Sequence, residues 1–286
     1  MQPPVVAIMA PGSMGAAVGA RLASQGVEVL TALDGRSAAS RERARAAGMA
    51  TVAEAQLAEA DFLLSIVPPA VALAFAERMA PRLERSRRKP VFVDCNAVSP
   101  ATMRRIAEAI DSARTPCVDA GIIGMPPKAG RAGPNFYASG PDAERFQTLS
   151  SHGLEIRVLC APIGAASALK MSYAGITKGL TAVATAMLLA AARGGVADAL
   201  RAELAESQSS LLASFRHTVP GMFPKAYRWV AEMQEIAAFA GADPAAAEIF
   251  QGAAALYDRM SRDVAGDGRE AEALKKCLGL APEGES

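Results

Sequence analysis

Cysteine, histidine and tryptophan are scarce in this chain: 4, 2 and 1 in 286 residues. Cys95, Cys117, Cys160 and Cys277 are widely separated, with no C-x-x-C spacing, and His152 and His217 do not complete a ligand set. That pattern excludes a zinc site of the usual spacing and offers no disulfide framework. Four reduced thiols in a cytoplasmic protein are the expectation, with no metal. Charge of one sign is also lacking. Thirty Lys and Arg against 29 Asp and Glu leave a net charge of +1, too weak a field to recruit nucleic acid or an anionic membrane. No basic stretch leads into a cleavage-like site at the start, so no signal peptide is expected. The most apolar later stretch, residues 179–192, is shorter than the ~20 residues of a membrane span. It continues a segment carrying Lys170 and Lys178 and reads as a buried core or subunit-interface helix. With 51% hydrophobic and 21% charged residues, the composition is globular.

Short apolar, β-rich runs at 5–9, 27–31, 62–67, 91–95, 117–120, 135–139 and 155–159 punctuate the first half. Helix-like segments at 14–25, 38–47, 71–83 and from 99 onward lie between them. Gly26 and Gly48 end the first two helices. Ser99 followed by Pro100 reads as an N-cap and a first helical residue. The nearly continuous apolar run 62–67 suits a sheet buried on both faces. This alternation predicts an α/β fold with a doubly wound parallel sheet. Beyond residue 159 strand signals stop. Helices are expected at 166–193, 196–215, 225–240 and 244–260, then a short helix and frayed chain over 263–286. The expected division is therefore an α/β domain at 1–160 and an all-α C-terminal domain at 161–286.

The first strand runs into Ala10-Pro11-Gly12-Ser13-Met14-Gly15 and then a helix, an A-x-G-x-x-G turn. Gly12 lets a backbone approach a pyrophosphate, Gly15 lets the helix pack tightly on the strand, and the opening N–H groups of the helix, from Ser13 and Met14 on, face the anion. In this strand–turn–helix context the turn marks an N-terminal Rossmann domain. The second strand ends at Leu33-Asp34-Gly35-Arg36-Ser37. Asp34 could hold ribose hydroxyls, as in NAD enzymes, whereas Arg36 and Ser37 could hold a 2′-phosphate. Two adjacent donors favour NADP, with NAD left open. Arg41 and Arg43 read as a solvated helix face.

These residues resemble the β-hydroxyacid dehydrogenases, the group of 3-hydroxyisobutyrate and 6-phosphogluconate dehydrogenases. The turn at 10–15 is similar to that family's G-x-G-x-M-G, including Met14, and Gly35-Arg36-Ser37 to the turn of its NADP-using members. Ser65-Ile66-Val67-Pro68-Pro69 resembles the loop lining the nicotinamide side. Asp94-Cys95-Asn96-Ala97-Val98-Ser99-Pro100 stands where the family has D-x-S-T-x-x-P. Residues 119–125 stand where it has D-A-P-V-S-G-G, and Gly164 to Lys170 is similar to its G-x-G-x-x-x-K. The resemblance implies cofactor contacts at Val67, Pro68 and Asn96, substrate contacts at Ile123 and Gly124, and Lys170 as the catalytic residue. The departures lie on the substrate side. The family's serine falls at Ile123, its asparagine after the lysine at Ala174, and its later lysine and aspartate at Arg228 and Trp229. An apolar substrate loop and a poorly characterised subgroup with its own helical C-terminal domain are implied.

Lys170 interrupts an apolar stretch where the two domains are expected to meet. There it can donate a proton to a carbonyl as hydride arrives and take it back in reverse. Tyr173 and Thr177 follow at i+3 and i+7 on the same helical stripe, Tyr173 as a second catalytic group and Thr177 as a substrate contact. Lys178 could bind an anionic substrate group. Arg228 is a candidate carboxylate or phosphate clamp or, equally, an ion pair with Glu232 at i+4. Trp229 reads as packing. The expected activity is hydride transfer between NADP(H) and a small hydroxy or oxo compound. Imine reduction and non-catalytic NADP binding are the alternatives, and a homodimer or higher homo-oligomer is expected.

Overall fold

The computed structural model describes residues 3–128, 130–131 and 133–280. The chain divides into two compact units, Met1–Met171 and Ser172–Ser286.

The first unit carries β1 (Val5–Met9), α1 (Ser13–Ala23), β2 (Glu28–Thr31), α2 (Ala38–Ala46), β3 (Ala50–Thr51), β4 (Phe62–Ser65), α3 (Ala72–Arg85), β5 (Val91–Asp94), α4 (Pro100–Asp111), β6 (Cys117–Ile123), β7 (Asn135–Ser139), α5 (Ala143–Gln147) and β8 (Glu155–Val158). The strands form one sheet in the order β3-β2-β1-β4-β5-β6-β7-β8. Every neighbouring pair is parallel except β6 and β7. Alternate side chains leave a strand on opposite faces, and here both faces are covered. Val6, Ile8, Leu64 and Val93 enter one core cluster, while Ala7, Met9, Leu63 and Phe92 enter another. That is why these strands read as unbroken apolar runs. The register Met9–Ser65–Asp94–Asp119 across β1, β4, β5 and β6 defines the carboxyl edge of the parallel sheet, where ligands of such folds bind.

The helix α6 (Ala165–Arg193) begins in the first unit and continues into the second, followed by α7 (Ala197–Ser207), α8 (Ser209–Met222), α9 (Ala226–Phe239), α10 (Pro244–Ala265) and α11 (Arg269–Cys277). By length and composition α6 could cross a membrane, yet half of its most apolar window is buried. Gly175 and Gly179 let Phe250 of α10 approach, since a Cβ at either would meet that ring at 3.1 or 3.3 Å.

Two expectations are corrected. The units divide after Met171, not near residue 160, because the start of α6 is hydrogen-bonded to β6 and β7 as described below. The helix expected over 196–215 is two helices. Gln208 leaves helical geometry at φ −141 and ψ 47, within a Ser207-Gln208-Ser209-Ser210 run whose hydroxyls compete for the backbone. The segment after residue 263 carries the expected short helix, α11 (Arg269–Cys277), and it is packed. Asp263 accepts the Glu270 and Ala271 N–H groups at 2.9 Å each, and Leu274, Cys277 and Leu278 are buried. The expected frayed residues 281–286 lie outside the described residues. Two-residue β3 was too short to predict.

Candidate active site

The turn after β1 is built around two glycines. A Cβ at Gly15 would stand 2.2 Å from the Ala10 carbonyl oxygen, whereas a Cβ at Gly12 would meet nothing within 4 Å. Gly15 is thus required by packing, and Gly12 leaves open space before the helix. Gly12 is the N-cap of α1 and no side chain caps the helix, so the N–H groups of its first turn remain available to an anion. Ser13 is exposed and Met14 packs against the core.

Beside this turn lies a set of donors. Half-buried Arg36 directs a guanidinium nitrogen to Met9 Sδ at 3.9 Å. Ser37 caps α2, accepting from the Ser40 N–H at 3.3 Å. Arg41 donates to the Arg36 carbonyl at 3.3 Å. Arg43, expected on a solvated face, is exposed and also donates through Nε to the Pro11 carbonyl of the glycine turn at 3.1 Å and through its terminal nitrogen to Ser40 Oγ at 3.0 Å. Periodicity within α2 could not show that its neighbour is a turn 32 residues earlier. Asp34 is exposed on the same connection. The open N-terminus of α1, the bare Gly12 and the polar groups beside them fit a nicotinamide dinucleotide.

At the carboxyl edge, Asn96 does not face outward. Its Oδ1 accepts the Val67 N–H at 2.7 Å, and its Nδ2 donates to Ser65 Oγ at 2.9 Å and Asp94 Oδ2 at 2.7 Å. Asn96 therefore fixes the loop carrying half-buried Val67 and exposed Pro68. Asp94 and Asp119 are each 1% exposed and paired in register. Burial raises the Asp94 pKa to about 7, against the hydrogen bonds from Asn96 and with a smaller upward push from Asp119. Burial also raises Asp119, opposed by its donors. Those donors are the Gly164 N–H at 2.9 Å, the Ser167 N–H at 3.0 Å, Ser167 Oγ at 2.7 Å and Ser139 Oγ at 3.0 Å. Ser139 Oγ in turn accepts the Ala166 N–H at 3.0 Å. The first turn of α6 is thus bound to β6 and β7.

One turn later stands Lys170, half-buried. Among the described residues, no hydrogen bond or ion pair holds its ammonium. Ile123 at the end of β6 is half-buried and Gly124 is exposed at φ 131.

Residues expected on the substrate side that fall in the second unit are arranged differently from the expectation. Tyr173 and Thr177 are exposed, and Thr177 Oγ1 donates to the Tyr173 carbonyl at 2.9 Å. Lys178 is not available to an anionic substrate: its ammonium pairs with Glu232 and lies 4.9 Å from the centre of the Trp229 ring. Glu232 therefore pairs with Lys178 rather than with Arg228, whose guanidinium lies over Tyr227. Trp229 packs edge-on against Tyr257 at 5.1 Å. Tyr257 was not singled out by sequence, and Glu232 was read there only as a partner for Arg228, because nothing local to α9 points to Lys178.

Residues 6–151 match the family model described as the NAD binding domain of 6-phosphogluconate dehydrogenase, and residues 191–260 match a domain of unknown function (DUF1932). Among solved structures, the chain is 30% identical to the conserved protein MTH1747, reported as structurally similar to 3-hydroxyacid dehydrogenases. That match covers 96% of this chain and 99% of the other, with a TM-score of 0.67. The fold is shared with Mycobacterium tuberculosis 3-hydroxyisobutyrate dehydrogenase with L-serine, at 19% identity over 91% and 94% of the chains and a TM-score of 0.71. It is also shared with an imine reductase from Myxococcus stipitatus in complex with NADP+, at 17% identity over 96% and 100% and a TM-score of 0.55.

Proposed function

Since the chain belongs to the β-hydroxyacid dehydrogenase-like family that carries the NAD-binding domain of 6-phosphogluconate dehydrogenase, we propose that it is an NADP(H)-linked oxidoreductase of a small hydroxy or oxo compound. Gly12, Ser13, Met14 and Gly15 would hold the pyrophosphate, Arg36 and Ser37 a 2′-phosphate with Arg43 beside them, and Val67 and Pro68 the nicotinamide side. The bound nicotinamide supplies or accepts a hydride. Lys170 donates a proton to the carbonyl oxygen in reduction and removes it from the hydroxyl in oxidation.

The observation that carries this reading is the unpaired, half-buried amine of Lys170. It sits two turns or less into a helix whose start is bound to Asp119 at the carboxyl edge, the same edge on which the phosphate turn opens. An ammonium left without a counter-ion at that edge is available to the reacting oxygen.

A second reading is supported by the Lys178–Glu232 pair. Neutralised, Lys178 offers no charge to a carboxylate, and half-buried Ile123 stands where the family has serine. Both favour an uncharged or imine substrate, so C=N reduction is the alternative chemistry. The experiment is a fluorescence titration with NADPH and NADH, followed by turnover on hydroxy acids, aldehydes and cyclic imines. Lys170→Ala is expected to lower kcat/KM by about 10²–10⁴-fold with NADPH affinity retained. Full turnover in that variant refutes the assignment, and NADPH binding without turnover on any panel by the parent makes the protein a non-catalytic binder.

A further inference from the structure

We propose that Gly121 is a positioning residue for Lys170: its missing side chain admits the first two turns of α6 onto the end of β6 and so fixes where the amine emerges. The inference rests on Lys170 as the proton-transfer group.

Gly121 is buried within β6, and it is not among the glycines whose φ is positive. Its backbone therefore does not require glycine; only its surroundings do. A Cβ there would stand 3.0 Å from the Ala166 carbonyl oxygen and 3.1 Å from Lys170 Cβ, inside ordinary contact distance for both. Glycine within a strand commonly marks such an approach of another backbone.

The helix is not free to yield. Two residues before Gly121 on the same strand, Asp119 binds the Gly164 and Ser167 N–H groups and Ser167 Oγ. From the adjacent strand, Ser139 binds the Ala166 N–H. These four bonds draw the turn inward, and the bare Gly121 sets how far it comes. An alanine at 121 forces a choice between breaking that clamp and swinging the Lys170 turn outward. Since the clamp is buried and its carboxylate needs its donors, the Lys170 turn gives way. A displacement of up to about 1 Å is enough to lower turnover by as much as 10²-fold.

The test begins on the apo protein, with no substrate needed. Parent and Gly121→Ala are reductively methylated with formaldehyde and dimethylamine–borane across a pH series, and peptide mass mapping gives a rate for each lysine. The expected result is an altered rate and pH profile for Lys170 alone, by about threefold or more for a shift of the size above. Lys128 and Lys276 keep parental rates, and NADPH binds within about twofold of parent, as expected where no cofactor contact is altered. On whichever panel compound the parent turns over, kcat falls while KM holds. An unchanged Lys170 rate and profile in folded Gly121→Ala overturns the inference. Should that variant not fold, Ser139→Ala loosens the same turn without adding volume, and an unmoved Lys170 rate there overturns it equally. Lys170→Ala separates the two claims: turnover surviving in it removes the functional reading itself, whereas an unmoved methylation profile in Gly121→Ala removes only the positioning role.

Discussion

Asp94 lies fully buried at the end of β5, held by Asn96, with Asp119 beside it. Its carboxyl titrates at 3.8 when exposed and at about 7 in the fold, chiefly through burial. Between those values the folded chain keeps a proton that the unfolded chain has released. Its contribution is therefore complete below 3.8 and is lost as pH rises to about 7. At 1.36 kcal/mol per pH unit the loss approaches roughly 4 kcal/mol. Asp94→Asn is expected to flatten the fall in unfolding free energy from about pH 5 to pH 7, measured by denaturant titration at several pH values; an unchanged slope would assign the titration elsewhere. Arg36→Ala is expected to weaken NADPH by about tenfold or more, the scale of a lost charge-assisted hydrogen bond, and NADH far less. Equal losses would refute the 2′-phosphate assignment. Gly15 could be found in the sequence because its close approach to the Ala10 carbonyl depends on spacing within one strand, turn and helix. Arg43 and Asn96 could not be placed, because their partners are Pro11, Ser65 and Val67, on strand ends that only the sheet order brings together.

The helices of the second unit show a similar limit at the scale of elements. Glu232 has a local basic neighbour four residues back, Arg228, yet it pairs with Lys178, 54 residues away on α6. Helical spacing offers candidate partners, but burial decides among them: Lys178 and Glu232 retain 18% and 8% of their side-chain exposure, where an unpaired charge is costly. Lys178→Met and Glu232→Leu are each expected to destabilise the protein by about 3–5 kcal/mol, and the double variant by clearly less than their sum. Additive losses in chemical denaturation would show that the two charges are uncoupled. Tyr257 of α10 adds a hydrogen bond to the Lys178 carbonyl at 2.5 Å, joining α6, α9 and α10 around one point. Long elements with strong periodicity, such as α6 and the buried strands, were readable from the chain. The break at Gln208 was not, because both halves keep helical composition.

For the whole molecule, the exposed apolar residues of α6 are the feature that bears on assembly. Tyr173, Ile176, Leu180, Val183 and Met187 are all exposed, and their alternating steps of three and four residues form a heptad seam. Apolar stripes of this extent mark interaction sites, and a seam of this heptad period suits an isologous pairing with a second copy. The protein is expected to sediment as a dimer, and Ile176→Glu with Val183→Glu to sediment as a folded monomer; a monomeric parent removes the expectation. The sequence foretold an α/β unit followed by a helical one, and the junction lies about two helical turns and a loop further on because Asp119 claims the start of α6, a bond invisible without the sheet. With the junction after Met171, the glycine turn, the guanidinium cluster and Lys170 travel on one inherited segment. A gene exchange joined there would replace the helical half wholesale and leave in place the segment that carries the proposed proton donor.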